Sequence, residues 1–287
     1  MIKEWIATYN PQNEDDVISA LREIMQEIAL AGLSRTDFFK KAAFYGGTAL
    51  RIFHGLDRYS EDLDFSLLEI NSEFSLEPYF DAIVTEFEAL GIHVSIREKI
   101  KKNQTSIESA FLKSETIWKE LILEDIVKQA GIKSNKNIKI KIEVDRQPPL
   151  GFQTEEKLLI RPFSFYIKCF DLPSLFAGKI HALLYRKWKS RVKGRDWYDM
   201  EWYIRKGIPL DVRHFLERAL ETGDWTGKTI TSNQILELLH HKINNVSIES
   251  IKDDIIPFID DDSKLKIWSS DYFNDLIKNM KFNNSVN

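Results

Sequence analysis

Cysteine occurs once in the 287 residues, at Cys169, which rules out an internal disulfide framework and a cysteine-rich zinc site. A reducing compartment fits that usage best. The opening stretch "MIKEWIATYNPQNEDD" has neither the basic nor the apolar region of a secretory signal. No apolar run approaches the roughly 18 to 20 residues of a membrane span. The expectation is a cytoplasmic protein that does not enter membranes. Neither sign of charge dominates, since the formal net charge is −4, so the chain is not a polycation that coats nucleic acid indiscriminately. The histidines His54, His93, His181 and His214 are scattered, and the adjacent His240 and His241 cannot share one helix face, so no metal-ligand spacing arises. A P-loop and a Gly-x-Ser-x-Gly elbow are also missing: "FHGLDRYS" contains Ser60 without flanking glycines. No repeat or low-complexity tract is evident.

What is present suffices for a large core. Hydrophobic residues make up 43%, with seven tryptophans and 18 phenylalanines, and the length allows two domains. Apolar residues at Val17, Ile18, Leu21, Ile24, Met25, Ile28 and Ala29 mark one helix face. "DFFKKAAFYGG" reads as a helix end and a short strand stopping at the glycines, with a helix over Ala49 to Phe53 closed by Gly55. "EDLDFSLLEI" reads as a strand, and "LEPYFDAIVTEFEALG" as an amphipathic helix closed by Gly91. "IHVSIREKI" and "TSIESAFLKS" are expected hairpin partners. "NIKIKIEVDRQPP" is the clearest strand, with Ile138, Ile140, Ile142 and Val144 on one face and Lys139, Lys141, Glu143 and Asp145 on the other. Everything after Asp171 reads as helix. Strands in the first half and helices in the second place a boundary near residue 170.

The stretch "GGTALRIFHGLDRYSEDLDF" carries the chemistry. A strand ending at Tyr45, a Gly46-Gly47 turn and a helix from Thr48 put bare N–H groups and a positive helix end at one point, which suits an anion. An ordinary tight turn capped by Thr48 is the plainer account. Asp62 and Asp64 project from one strand face, where two carboxylates can share one or two magnesium ions; alternatively they are solvated strand residues. The combination of both features favours metal-assisted nucleotidyl transfer, which needs a cradle for the β- and γ-phosphates, two metal-holding carboxylates and usually a third on a neighbouring strand. Asp145 is the expected third, ahead of Glu143, which sits deeper in its strand.

The pattern Gly46-Gly47-Thr48, Arg51, then Arg58-x-Ser60-x-Asp62-x-Asp64-Phe65 resembles the first signature of the nucleotidyltransferase superfamily, in the version typical of AbiEii/AbiGii-type toxins. Those are the toxic halves of bacterial abortive-infection and toxin–antitoxin pairs. "LFAGKIHALLYR" around Lys179 and "KGRDWYDMEWYI" around Asp196 are similar to the same group. The resemblance covers roughly residues 40 to 205. It implies an α+β fold: a nucleotidyltransferase-type mixed sheet flanked by helices over residues 1–170, then an all-helical C-terminal domain over 171–287 contributing to the active-site cleft. It also implies an NTP substrate, a two-metal magnesium site and a cognate antitoxin protein as partner.

On these grounds Asp62, Asp64 and Asp145 are the expected metal ligands. Gly46, Gly47, Thr48, Arg51 and Ser60 are expected around the nucleotide. Lys179 lies in the apolar stripe of its helix, three and four residues after Phe176 and Leu175. There it either snorkels to water or, as the family's matching lysine implies, reaches the triphosphate. Asp196 and Asp199 have a sufficient structural explanation in the helix dipole, and Arg195 could pair with Asp199 along the helix. The resemblance nevertheless places this Arg-Asp-x-x-Asp motif at the nucleotide, with Asp196 functional, Asp199 scaffolding and Arg195 at the cofactor. The basic run "RKWKSRVKGR", Arg186 to Arg195, either grips RNA or is a solvated loop. The acceptor implied is RNA, the tRNA 3′ end above all, with a block of translation as the consequence. A protein hydroxyl or small molecule as acceptor, and a catalytically silent RNA- or partner-binding module on the same scaffold, are the alternatives. Ser60, two residues before Asp62, would face the same side if extended, so phosphate added there would compete with the triphosphate.

Overall fold

The computed structural model describes residues 2–97, 116–123, 138–186 and 192–283, with the backbone alone at residue 97 and over 116–123. The chain forms two units, each discontinuous in sequence. The first comprises Met1–Ala49, Ser60–Pro148 and Glu155–Cys169; the second comprises Leu50–Tyr59, Pro149–Thr154 and Phe170–Asn287.

The first unit is built on a seven-stranded mixed sheet. In chain order its strands are β1 (Ala42–Tyr45), β2 (Asp62–Leu67), β3 (Val94–Arg97), β4 (Thr116–Leu123), β5 (Ile138–Asp145), β6 (Thr154–Leu159) and β7 (Phe165–Phe170). Their order across the sheet is β3-β4-β5-β2-β1-β7-β6. The alternation in "NIKIKIEVD" makes β5 a central strand. Ile138, Ile140, Ile142 and Val144 are buried to at least 99%, each such side chain contributing about 1.5–3 kcal/mol. β5 runs parallel to β2, which runs antiparallel to β1. The antiparallel partner of β3 is β4; the segment "TSIESAFLKS" expected in that place lies outside the described residues.

Helices α1 (Ile2–Ala7), α2 (Glu14–Ser34), α3 (Phe38–Lys41) and α5 (Phe80–Ala89) belong to this unit, and α4 (Gly46–His54) begins in it. Asn13 caps α2 by accepting from the Asp16 N–H, and three acids in the first turn meet the positive helix end. The buried stripe of α2, including Leu21, Ile24, Met25 and Ile28, packs against β5 and α5. Phe38 stands edge-on to Phe65 of β2, with centroids 4.9 Å apart, so the apolar neighbours of the two aspartates are wedged in an aromatic cluster.

The second unit is mainly helical: α6 (Leu172–Tyr185), α7 (Gly194–Arg205), α8 (Val212–Glu221), α9 (Ser232–Asn244), α10 (Ile248–Ile255) and α11 (Ser270–Ile277). Asp171, Asp211, Thr231, Ser247 and Ser269 cap five of them through side-chain oxygens. The expectation of helix alone after Asp171 needs one correction. β8 (Pro209–Asp211) and β9 (Lys281–Asn283) pair in parallel, each three residues long and so too short for its alternation to stand out.

Candidate active site

The first unit brings the glycine turn and the paired aspartates together. β1 pairs with β2 so that Tyr45 is opposite Asp64, and the chain turns into α4 at the next residue. Gly46 adopts φ +84°, and a Cβ there would overlap Asp64 Oδ2. The Asp64 carboxylate therefore lies directly against bare backbone. Only glycine combines that left-handed conformation with that approach. The N–H groups in the first turn of a helix have no partner within the helix, so Gly46 and Gly47 place donors and a positive helix end beside the carboxylates.

Thr48 is fully buried, and its Oγ1 donates to the Asp62 backbone carbonyl. Its hydroxyl thus ties α4 to the first residue of β2, an anchoring task that differs from the phosphate contact expected of it. Its backbone remains in the first turn of the helix. Ser60 accepts through its carbonyl from Gln26 Nε2 at 3.2 Å, which fixes the approach to β2 from the side of α2.

Asp62 and Asp64 share one face of β2, because the residues between and after them, Leu63 and Phe65, are fully buried on the other. The parallel register with β5 pairs Asp62 with Lys141, Asp64 with Glu143 and Ser66 with Asp145. Paired residues on adjacent strands project to the same side, so Glu143 stands level with Asp64 and is ion-paired to Lys141. Asp145 lies one pleat further on and accepts from the Gln147 N–H at 3.1 Å, closing the turn after the strand. Parallel pairing sets Glu143 and not Asp145 level with Asp64, since the acidic end of β2 is its beginning. Among the described residues no three His, Cys, Asp or Glu side chains form a ready metal cage, so Asp62, Asp64 and Asp145 do not constitute one. Two hard carboxylates on one face do suit magnesium, which takes one or two protein carboxylates and completes its shell with water and phosphate.

The second unit holds a different constellation. Lys179 Nζ lies 3.0 Å from Asp196 Oδ1 and 2.9 Å from Asp199 Oδ2. Arg58 grips both oxygens of Asp199, Nε to Oδ1 and Nη2 to Oδ2 at 2.6 Å each. Arg58, Asp196 and Asp199 are all buried to at least 98%, while the Lys179 side chain keeps 14% exposure. Lys179 therefore ends between two carboxylates and does not snorkel. Burial would pull its amine down, but Asp196 and Asp199 outweigh it and hold the pKa above the ordinary lysine value. Burial likewise pushes Asp199 up, and Arg58 with Lys179 overcomes that to bring it to about 2. Asp196 is held low against burial by Lys179, Lys193 and Arg186.

The helix dipole meets Asp196, in the first turn of α7, and does not account for Asp199. Asp199 is a turn beyond the start of α7 and answers to Arg58 and Lys179. The Arg195 guanidinium lies 4.1 Å from the Phe258 ring centroid. Arg51 donates to the Leu56 carbonyl at 3.2 Å and lies over the Tyr59 ring, holding the loop that follows α4. Of the basic run, residues 187–191 lie outside the described residues; Arg186 Nη1 sits 4.0 Å from Asp196 Oδ2. The residue that sequence reasoning passed over is Arg58. Its signal was present in the motif itself, as a lone arginine just ahead of two aspartates, but its partner is 141 positions away.

Residues 28–281 match the family described as "Nucleotidyl transferase AbiEii toxin, Type IV TA system". No curated relative matches the chain. Among solved structures, MenT4, a nucleotidyltransferase toxin from Mycobacterium tuberculosis H37Rv, aligns at TM-score 0.55 and 14% identity, covering 96% of this chain and 88% of that one. JHP933 from Helicobacter pylori aligns at TM-score 0.48 and 15% identity, covering 90% of this chain and 88% of its own. At 14% identity the likeness to MenT4 is one of fold.

Proposed function

The chain belongs to the AbiEii nucleotidyl transferase toxin family, and from that premise we propose that it moves a nucleoside monophosphate from an NTP to RNA. The acceptor we assign is the 3′ end of tRNA, whose modification blocks translation. The observation that carries this reading is the Asp64 carboxylate seated against Gly46 at the start of α4, with Asp62 on the same strand face. That juxtaposition sets metal-binding oxygens beside phosphate-binding N–H groups, the two needs of phosphoryl chemistry.

Asp62 and Asp64 would hold the magnesium, with Glu143 the nearest further carboxylate by register. When bound, magnesium lowers the pKa of the attacking hydroxyl and offsets charge on the leaving pyrophosphate. The chain's own residues do the positioning. The Gly46-Gly47 turn orients phosphate oxygens and Thr48 keeps that turn fastened to the aspartate strand; within the second unit, Lys179 is assigned the role of a fixed cation held by Asp196 and Asp199. Basic residues of the 186–195 run are assigned to the RNA backbone. A neutralising antitoxin is the partner that membership of a toxin–antitoxin family supports, and a cytoplasmic site of action follows from the substrate. No described helix is long and apolar enough to cross a membrane.

The test is to incubate the protein with each of four α-labelled NTPs, bulk tRNA and cell lysate, with magnesium or with EDTA. Label in tRNA, dependent on magnesium and lost in Asp62→Ala, is the expected result. Label in protein or a small metabolite would move the acceptor and keep the chemistry. No label anywhere, with intact RNA binding, would overturn the enzyme reading in favour of a binding module.

A further inference from the structure

Resting on the nucleotidyl-transfer reading, we propose that Arg58 is a positioning residue. By sharing the charge of Asp199 it spares the Lys179 ammonium, which touches both Asp199 and Asp196, from offsetting both carboxylates alone, and so leaves it charge to offer a triphosphate.

The geometry divides the four charges unequally. The guanidinium meets both Asp199 oxygens in a fork, a pairing that fixes orientation as well as charge. Its remaining Nη1 donates to the Tyr59 carbonyl at 2.9 Å. Lys179 shares only Oδ2 of Asp199 and has Asp196 Oδ1 at nearly the same distance. Asp196 also has Arg186 Nη1 at 4.0 Å, whereas the more rigid cation, Arg58, is committed to the more deeply buried acid.

The strap that carries Arg58 is pinned on both sides of it within the second unit. Asp57 accepts from Tyr198 Oη at 2.7 Å and Lys264 Nζ at 2.6 Å. Arg58 forms a backbone bridge with Ile259, and the Tyr59 N–H donates to the Phe258 carbonyl at 2.8 Å. Tyr198 and Asp199 are consecutive on α7, so one turn of that helix receives both Asp57 and Arg58. An arginine held only to fill space would not need its guanidinium aimed so closely. Without the guanidinium, the buried Asp199 would be left to Lys179, and its uncompensated charge would draw the ammonium inward and oppose a polyanionic substrate.

The experiment follows charge balance through a double-substitution cycle, reading kcat and KM for the NTP with tRNA as acceptor and the dissociation constant of a non-hydrolysable NTP analogue. Arg58→Gln is expected to weaken analogue binding and raise KM at least tenfold, with a smaller fall in kcat. Arg58→Lys, which keeps the charge and loses the fork, should fall between wild type and Arg58→Gln. Adding Asp199→Asn to Arg58→Gln removes the surplus charge and should recover most of the loss, an outcome that simple damage to the fold does not produce. If Arg58→Gln does not fold, the cycle is read in the Asp199→Asn background, where adding Arg58→Gln should change KM less than twofold. A folded Arg58→Gln protein with wild-type binding and KM, or a double variant worse than either single one, would overturn the inference. Wild-type protein that binds and transfers no nucleotide would instead sink the nucleotidyl-transfer reading beneath it. The two failures are told apart by the wild-type control.

Discussion

Gly46→Ala is the perturbation that isolates the junction of turn and carboxylate. A β-carbon at φ +84° costs about 1–2 kcal/mol in backbone strain. It would also overlap Asp64 Oδ2, and turning that side chain out of its rotamer well costs roughly another 0.5–1.5 kcal/mol. A total of about 1.5–3.5 kcal/mol corresponds to a fall in melting temperature of roughly 3–14 °C for a unit of this size. The functional loss should be larger than the stability loss suggests, because a displacement of about 1 Å at a reacting centre costs on the order of a hundredfold in rate. Gly55→Ala supplies the control. Gly55 has φ +71° with nothing within 4 Å of the added carbon, so the backbone strain is similar and no carboxylate is touched. Thermal melting and labelled-nucleotide transfer, measured on both variants, should show Gly55→Ala less destabilised by about the rotamer cost of 0.5–1.5 kcal/mol and a collapse of transfer in Gly46→Ala alone. Transfer by Gly46→Ala above half the wild-type rate, at a temperature where it is folded, would refute the reasoning.

Register makes a second prediction: Glu143→Gln should lower transfer at least tenfold, and Asp145→Asn should leave it within about threefold, as steady-state rates will show. A third concerns pH and lies away from the proposed chemistry. Glu27 on α2 is 3% exposed, its Oε2 3.7 Å from Arg161 Nε, and burial pushes its carboxyl up to about 7 against the pull of Arg161, with Glu23 adding to the rise. A raised carboxyl pKa contributes stability that is full below about 4.5 and lost as pH rises through about 7. Glu27→Gln should therefore flatten the decline between pH 4.5 and 7 and be more stable than wild type at pH 8, by up to roughly 3 kcal/mol. Denaturant titrations at pH 5 and pH 8 check this, and equal stability differences at the two values would contradict it.

Local pattern was enough for much of this architecture. The alternation of Ile138 to Val144 announced a strand with one buried face, and the placing of Asp62 and Asp64 on a common face follows from the pleat alone. The glycine turn was legible for the same reason, since few sequences other than Gly-Gly let a strand enter a helix so abruptly. Pairing between distant segments was not legible. Whether Glu143 or Asp145 stands beside Asp64 depends on a register set by tertiary packing. The same holds for Arg58, whose meaning rests on an acid 141 positions later. Thr48 has the residue type of a phosphate ligand, and nothing local in the sequence shows that its hydroxyl donates to the Asp62 carbonyl. β6 and β7 carry exposed Leu158 and Tyr166 beside buried positions, which blurs the alternation that would have marked them.

The central claim is that Asp64, seated on the turn at Gly46, serves nucleotidyl transfer to RNA. It is tested most directly by following α-labelled NTP into purified tRNA with wild-type protein and with Asp64→Asn, a nearly isosteric change. Magnesium-dependent labelling by the wild type and a loss of at least a thousandfold in the variant are expected, with the variant's melting temperature held or raised. Labelling by Asp64→Asn at a rate near that of the wild type would contradict the claim.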